Sequence, residues 1–199
     1  MKNLRFFSGF LIFALIIALI GEPSAKSVEE FDVAAGAAVL MDADSGEVFY
    51  SKNPHEPRPP ASTTKLMVGL LAMEAVESGA VSLNDKVTAS ENARFDLTWD
   101  SSTAGIQPGE VMTLNDLLYC ALVISANEAC NVIAEYISGD VASFVQLMNH
   151  RAMELGCKDT NFVNTHGLPH VDHLSSAYDL ALIARESLKH PTLVQITDT

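Results

Sequence analysis

The stretch of residues 66–75 constrains the fold most, because it is apolar around nearly every face of the helix it would form. Such a helix is stable only when other elements cover it on all sides, so it must lie near the centre of its domain. The sequence turns polar at Glu77 and Ser78, and Gly79 has the position of a glycine that ends a helix. We therefore predict a buried central helix that stops at Gly79.

The composition excludes two broad classes of protein. Of the 199 residues, 48% are hydrophobic and only 19% are charged, which excludes an intrinsically disordered chain. Lys and Arg number 12 against 25 Asp and Glu, and the net charge of −13 would repel the phosphates of a nucleic acid. We expect no nucleic-acid partner, and the length is that of one ordinary domain.

The first 25 residues have the three parts of a secretory signal peptide. Lys2 and Arg5 give a positive start, residues 6–20 carry no charge, and residues 21–25 are small and turn-prone. We place cleavage after Ala25 and expect export to the periplasm or the wall-side face of the membrane. A retained anchor is the open alternative. No second apolar stretch is long enough to cross a membrane, so further membrane attachment is not visible.

The first part of the mature chain predicts a β-hairpin. Residues 33–41 form a small-residue apolar run suited to a buried strand, and residues 47–51 form a second short strand. The turn-forming residues 42–46 lie between them. Residues 52–60 hold four prolines and are expected to be irregular, and residues 80–112 are expected to be mostly loop.

Three further helical regions have recognisable starts and stops. Thr113 with Asp116 resembles a capping box, and an apolar stripe runs from there to Gly139. Asp140 caps a second region that stops at Gly156. Ser176 with Asp179 opens the last predicted helix, which places Leu188 inward and ends before Pro191.

The first chemical motif is Ser62-Thr63-Thr64-Lys65, at the start of the buried helix. Residues i and i+3 of a helix share a face, so Lys65 would reach the hydroxyl of Ser62. An apolar environment lowers the pKa of a lysine because it disfavours the charged form. A neutral Lys65 beside Ser62 would be a general base next to a nucleophile, whereas the plain alternative is Ser62 as a helix cap.

The second motif is Ser125-Ala126-Asn127. In one continuous helix, residues i and i+2 point about 200° apart, so Ser125 and Asn127 could not both face one site. Their joint use requires two helices that meet at a short loop. The plain alternative is two polar residues on a helix surface.

Together the two motifs resemble the active-site set of the serine-type D-Ala-D-Ala carboxypeptidases, the low-molecular-mass penicillin-binding proteins. Further similar segments span most of residues 33–190. They are Ala61-Ser62-Thr63-Thr64-Lys65-Leu66-Met67, Ser101-Ser102, Gln107-Pro108-Gly109-Glu110, the helix start around Asp116, Asn164-Thr165-His166-Gly167-Leu168 and Ser175-Ser176-Ala177-Tyr178-Asp179.

The resemblance implies an α/β (α+β) fold of the penicillin-binding-protein and β-lactamase type, with a helical cluster against an antiparallel sheet. It also implies a mechanism without metal or organic cofactor. Ser62 would attack the D-Ala-D-Ala bond of a peptidoglycan stem peptide, and Lys65 would take its proton. Ser125 would relay a proton to the leaving D-Ala, and Asn127 would bind the substrate. β-Lactams would acylate Ser62 in the same way.

One departure from the family pattern is the absence of a Lys-Thr-Gly motif in residues 1–199. In the family this motif lies on a later strand, so we interpret residues 26–199 as the N-terminal part of a carboxypeptidase domain, with most of the sheet missing. We expect this length of chain to be inactive by itself. A natural short paralogue is the alternative.

Two other functions stay open at this stage. A serine β-lactamase shares both motifs, but a class A enzyme would place a Glu in the loop after Ser125-Ala126-Asn127, and residues 157–175 contain none. A non-catalytic penicillin-binding or wall-binding paralogue is favoured only if the lack of Lys-Thr-Gly is natural.

The remaining candidates for special chemistry are histidines and cysteines. His166, His170 and His173 suggest a metal site, but glycine and proline between them break a helix that would align them, so we favour an exposed loop. Cys120, Cys130 and Cys157 are an odd number for an exported protein and do not indicate a disulfide framework. Buried thiols are the favoured reading of Cys120 and Cys130, with one bridge plus a free thiol open.

Overall fold

The computed structural model describes residues 33–199, so the predicted signal peptide of residues 1–25 lies outside the described residues. Contacts divide the chain into residues 1–34 and a unit of residues 35–199, which holds every element named below. In the part that is described, no helix combines the length and the apolar composition needed to span a bilayer.

Helices make up most of the regular structure in this unit. The strands are β1 (Ala38–Met41), β2 (Val48–Lys52), β3 (Lys86–Thr88) and β4 (Val111–Thr113). A 3₁₀ turn, Ala61–Thr64, leads into α1 (Lys65–Glu77), which is followed by α2 (Leu114–Leu122), α3 (Asn127–Ser138), α4 (Val141–Glu154), α5 (Ala177–Ser187) and α6 (Pro191–Thr197).

Helix α1 is the central element, as its apolar sequence predicts. It contacts each of the five other helices, and every residue from Met67 to Met73 is buried. Its end is a Schellman motif: the N–H groups of Gly79 and Ala80 donate to the carbonyls of Val76 and Ala75, and Gly79 has a φ of +76°. The predicted central helix and its glycine stop are confirmed.

The predicted hairpin is confirmed, but its position and burial differ from the prediction. Strand β1 starts at Ala38 and pairs antiparallel with β2, with a register irregularity after Leu40. One face packs against α5, whereas Leu40 is 55% exposed and Phe49 61% exposed. Small apolar residues do not distinguish a two-sided buried strand from one that is covered on a single face.

A second antiparallel pair, β3 with β4, was missed in the region expected to be loop. Each strand has three residues, which is too short to establish the alternation that identifies a strand in a sequence. The pair leads directly into α2, because Thr113 ends β4 and caps the helix. Two antiparallel pairs and six helices in the described residues confirm the α+β class.

The predicted helix boundaries at residues 113–156 are confirmed. Thr113 and Asp116 form a complete capping box, and Asp140 Oδ1 accepts from the Ser143 N–H at the start of α4. Gly139 and Gly156 follow the helix ends in left-handed conformations, with φ of +84° and +88°. The helical stretch is divided between α2 and α3, as the joint use of Ser125 and Asn127 requires.

Residues 188–199 differ from the prediction in two respects. Helix α5 ends before Pro191, as predicted, but the helix that follows was not predicted: Pro191 is the first residue of α6, a position where the fixed φ of proline favours a helix. Leu188 was predicted to be inward, yet it is 55% exposed, because α5 ends at Ser187 and the helical stripe does not continue.

Candidate active site

Ser62 lies on the 3₁₀ turn before α1 and not in the α-helix itself. The Thr63 hydroxyl donates to the Pro60 carbonyl at 2.6 Å, and Ala61 has a left-handed φ of +49°. A non-glycine residue pays about 1–2 kcal/mol for that conformation. The turn leaves Ser62 exposed at the wall of a cavity while the next residues enter the core.

Lys65 is the first residue of α1 and is only 2% exposed. Its Nζ lies 3.1 Å from Ser62 Oγ and donates to the carbonyl of His166 at 2.8 Å. Burial lowers the pKa of Lys65, and the negative charges that Cys130 and Glu128 can carry oppose the shift only in part. The neutral amine is therefore more accessible than in a lysine exposed to water.

Ser125 reaches the same hydroxyl from the loop between α2 and α3. Its φ is +62°, and its Oγ donates to Ser62 Oγ at 3.0 Å. Ser102 holds this loop in place, because its Oγ donates to the Ile124 carbonyl and its own carbonyl accepts from the Asn127 N–H. The break in the helix therefore turns Ser125 toward Ser62.

Asn127 opens α3 and is 4% exposed. It shares with Ser62 the wall of a cavity of about 530 Å³. The other lining residues are largely polar and come from three loops: Ala61, Asp96, Thr98, Asp100, Ser101, Ser102, His166, Gly167, Leu168 and Pro169. All four residues singled out from the sequence thus lie at or beside one cavity.

The arrangement places the Ser62 hydroxyl between a buried amine and a second hydroxyl. Lys65 Nζ and Ser125 Oγ both lie within hydrogen-bond distance of Ser62 Oγ. Such a serine can give a proton to the amine as it attacks an electrophile, and the second hydroxyl offers a route for a proton to a leaving group.

The loop that contacts Lys65 from the far side was not predicted from the sequence. The His166 ring is 2% exposed and its Nε2 lies 2.9 Å from Asp96 Oδ2, while its carbonyl holds Lys65. Next to it, Gly167 has a φ of +94° and faces the Ala61 carbonyl so closely that a Cβ would overlap it. Each of these contacts joins residues that are 70 or more positions apart in the sequence, so no local sequence pattern indicates them.

A buried carboxylate, Glu128, supports the opposite side of the site. It is fully buried in α3, and its Oε1 accepts the N–H groups of Ala104, Gly105 and Ile106 at 2.7–3.2 Å. These bonds hold the segment that follows Ser101 and Ser102. The signal available for it in the sequence was a charged residue directly after Asn127, in a helical region with an apolar stripe.

The three loop histidines are not one exposed group, so that reading is wrong for two of them. His166 and His173 are buried and only His170 is exposed. His173 Nδ1 accepts from the Val163 N–H, so Nε2 carries the proton and donates to Thr64 Oγ1 at 2.9 Å. Within residues 33–199, no three His, Cys, Asp or Glu side chains are grouped as metal ligands.

All three cysteines are free thiols in this structure, so the open alternative of a bridge is not realised. Cys130 is fully buried, as predicted, and Cys120 is half-buried. Burial raises the pKa of Cys130 to about 12, so the thiol next to Lys65 stays protonated and does not compete with Ser62 as a nucleophile.

Comparison with known sequences identifies a family. A family model described as D-alanyl-D-alanine carboxypeptidase, peptidase S11, matches residues 24–199. The D-alanyl-D-alanine carboxypeptidase DacF of Bacillus subtilis is 39% identical over 191 residues, which is 96% of this chain and 48% of that protein. The chain spans about half the length of the curated relatives it matches.

Solved structures give the same result for the fold. Penicillin-binding protein 6B from Escherichia coli matches with a TM-score of 0.81 and 35% identity over 86% of this chain and 56% of its own. Penicillin-binding protein D2 from Listeria monocytogenes in its ampicillin-bound form matches with a TM-score of 0.72 and 27% identity, over 85% of this chain and 68% of its own.

Gly167→Ala is expected to destabilise the protein by at least about 2 kcal/mol, because it adds overlap with Ala61 to the strain of a left-handed backbone. Gly156→Ala is the matched control: φ at Gly156 is +88° and its Cβ would meet nothing within 4 Å. Urea unfolding of both variants measures the difference. Equal losses would show that the contact with Ala61 has no energetic role.

His173 predicts a pH-dependent stability. Burial lowers its pKa from 6.5 to about 4, so below pH 6.5 the unfolded chain takes up a proton that the folded chain excludes. Stability is therefore lost as the pH falls from 6.5 toward 4, by on the order of 2 kcal/mol between pH 7 and pH 5. Urea unfolding at both pH values should reveal a smaller loss in His173→Gln. An equal loss in the variant would contradict the assignment.

Proposed function

The chain belongs to the D-alanyl-D-alanine carboxypeptidase family, and from this we propose that it provides the nucleophilic part of a serine D-Ala-D-Ala carboxypeptidase. The substrate is a peptidoglycan stem peptide that ends in D-Ala-D-Ala, and the reaction removes the terminal D-Ala. The observation that carries the proposal is the hydrogen-bonded set of Lys65, Ser62 and Ser125 at the wall of one cavity.

The first half of the reaction forms an acyl-enzyme. Ser62 Oγ attacks the carbonyl carbon of the penultimate D-Ala, and Lys65 Nζ, 3.1 Å away, takes the hydroxyl proton. Burial favours this role, because it lowers the pKa of Lys65 and makes the neutral amine available. The C–N bond then breaks as Ser125 gives its proton to the departing amine of D-Ala and takes a replacement from Lys65, which returns to its neutral form.

The second half of the reaction hydrolyses the ester. Water attacks the acyl carbon and gives a proton to Lys65, and the ester C–O bond breaks as Lys65 returns that proton to Ser62 Oγ, which restores the hydroxyl and the neutral amine. Asn127, at the wall of the cavity, is positioned to hydrogen-bond the peptide backbone of the substrate. A β-lactam has a strained amide in place of the scissile bond, so the same attack would leave Ser62 acylated.

The alternatives are less well supported. A class A β-lactamase would need a Glu in residues 157–175, where there is none, and the relatives compared above are named carboxypeptidases. No observation favours a non-catalytic paralogue, since Ser62 is exposed at the cavity and has a base beside it. A substrate in the cell wall requires action outside the cytoplasm, consistent with the signal peptide that the sequence predicts.

The nucleophile is tested by Ser62→Ala in the full-length natural protein. The wild type should be labelled covalently by a fluorescent penicillin and the variant should not, because no hydroxyl remains to form the ester. Ser78→Ala, an exposed serine that bonds the end of α1, is the matched control and should be labelled normally. Label on Ser62→Ala would refute the assignment.

The base is tested by Lys65→Arg, which keeps a cation but cannot release its proton near neutral pH. Acylation should slow by about 10²–10⁴-fold, the usual contribution of general base catalysis. The control Lys86→Arg alters an exposed lysine of β3 and should react at the normal rate. Stopped-flow kinetics measure the acylation rate of each variant, and a thermal melt checks that each variant is folded. A near-normal acylation rate in Lys65→Arg would exclude the base role.

A further inference from the structure

The amine of Lys65 has a second hydrogen-bond partner, and that partner belongs to a distant loop. The His166 carbonyl accepts from Nζ at 2.8 Å, which is shorter than the 3.1 Å from Nζ to Ser62 Oγ. A lysine side chain has four rotatable bonds, so the position of this carbonyl decides where Nζ lies relative to Ser62. What holds the carbonyl therefore matters for the proposed chemistry.

The carbonyl is held through the side chain of its own residue. Leu168 N–H donates to His166 Nδ1 at 3.2 Å, so Nε2 carries the proton and donates to Asp96 Oδ2 at 2.9 Å. With both ring nitrogens bonded and the residue 2% exposed, the ring has no freedom to turn. Rotation of the backbone at His166 would have to break these bonds.

Asp96 is in turn held from its other oxygen. Asn131 of α3 donates through Nδ2 to Asp96 Oδ1 at 2.9 Å, and its Oδ1 accepts from Thr165 Oγ1 at 2.6 Å. Asn131 and Thr165 are fully buried. Asn131 on α3 therefore bonds both Asp96 and Thr165, and Asp96 bonds His166. These hydrogen bonds hold the loop at two adjacent residues, Thr165 and His166.

We propose that Asp96 is a positioning residue for Lys65, acting through the ring and the carbonyl of His166. This inference rests on the proposed function, since it concerns how the base is aligned. Asp96 does not contact Lys65. It determines where the acceptor for Nζ lies, and with it the orientation of Nζ toward Ser62 Oγ.

The carboxylate is suited to this role because it accepts at both oxygens. Burial acts to raise the pKa of Asp96, but the hydrogen bonds from His166 and Asn131 outweigh it, so the pKa lies below its usual range. An amide could not replace it. In Asp96→Asn, Oδ1 would accept from Asn131, and the NH₂ group would then face the Nε2–H of His166, donor against donor.

The ionisation of Lys65 gives a readout that a purely structural role would not change. The titratable groups that act on Nζ are Glu128 and Cys130, both on α3, together with the His166 carbonyl dipole. A carbonyl acceptor favours the ammonium form, so its loss lowers the pKa of Lys65 further. The acid limb of the acylation rate should then shift to lower pH, while the maximal rate falls.

The test measures acylation of the full-length natural protein against pH, with benzylpenicillin and with diacetyl-Lys-D-Ala-D-Ala. Asp96→Asn should slow both reactions by the same factor, about tenfold to a hundredfold, as expected for a misplaced base. Its acid limb should move to lower pH, and Asp96→Glu should recover part of the rate. The matched control, Glu91→Gln, removes one exposed carboxylate from the same segment and should match the wild type.

Three results would overturn the proposal. They are an unchanged rate in Asp96→Asn, a slower rate with an unshifted acid limb, and a loss confined to one of the two acylating agents, which would make Asp96 a substrate contact. If the wild type itself is not acylated, the proposed function fails, and the positioning role is then decided by crystal structures.

The crystal structure of Asp96→Asn, or of Asp96→Glu if Asp96→Asn does not fold, measures the distance from Lys65 Nζ to the His166 carbonyl oxygen. That distance should differ from 2.8 Å. An unchanged distance would refute the role.

Discussion

The removal of the Lys65 amine from water is the constraint on which the rest of the candidate site depends. A buried amine is costly unless oxygen atoms replace its water, and burial also shifts its equilibrium toward the neutral form that a base requires. Ser62 Oγ and the His166 carbonyl provide those oxygens. The apolar helix that buries Lys65 and the loops that supply its partners therefore form one interdependent structure.

The site is built from strained backbone that its surroundings hold in place. Ala61 and Ser125 are non-glycine residues in left-handed conformations. Ala61 directly precedes Ser62, and Ser125 is the residue whose hydroxyl bonds Ser62. Ser102 fixes the loop of Ser125, while Gly167 packs on Ala61 with no room for a side chain. Such contacts keep two short hydroxyl side chains within 3.0 Å of each other before any substrate binds.

Much of the fold could be predicted because its signals are local. The capping box at Thr113, the glycine stops and the all-round apolar helix each depend on residues within one or two turns. The short strands β3 and β4 and the helix α6 were missed, since three residues establish no period and Pro191 is compatible with both a helix stop and a helix start. The burial of His166 and His173 also depends on partners far away in the sequence.

The sequence by itself determined which groups the site contains: Ser62 one turn before Lys65, and Ser125 and Asn127 at a required break between helices. The helical repeat relates side chains only a few residues apart, so it gave the two separate pairs, and the resemblance to the carboxypeptidase family joined them into one site. Only the tertiary structure decided that Ser125 meets Ser62, that a backbone carbonyl of residue 166 holds the amine, and that Asp96 holds that residue. These contacts join segments 63 to 101 positions apart, and their geometry comes from the packing of whole helices, which no local pattern encodes.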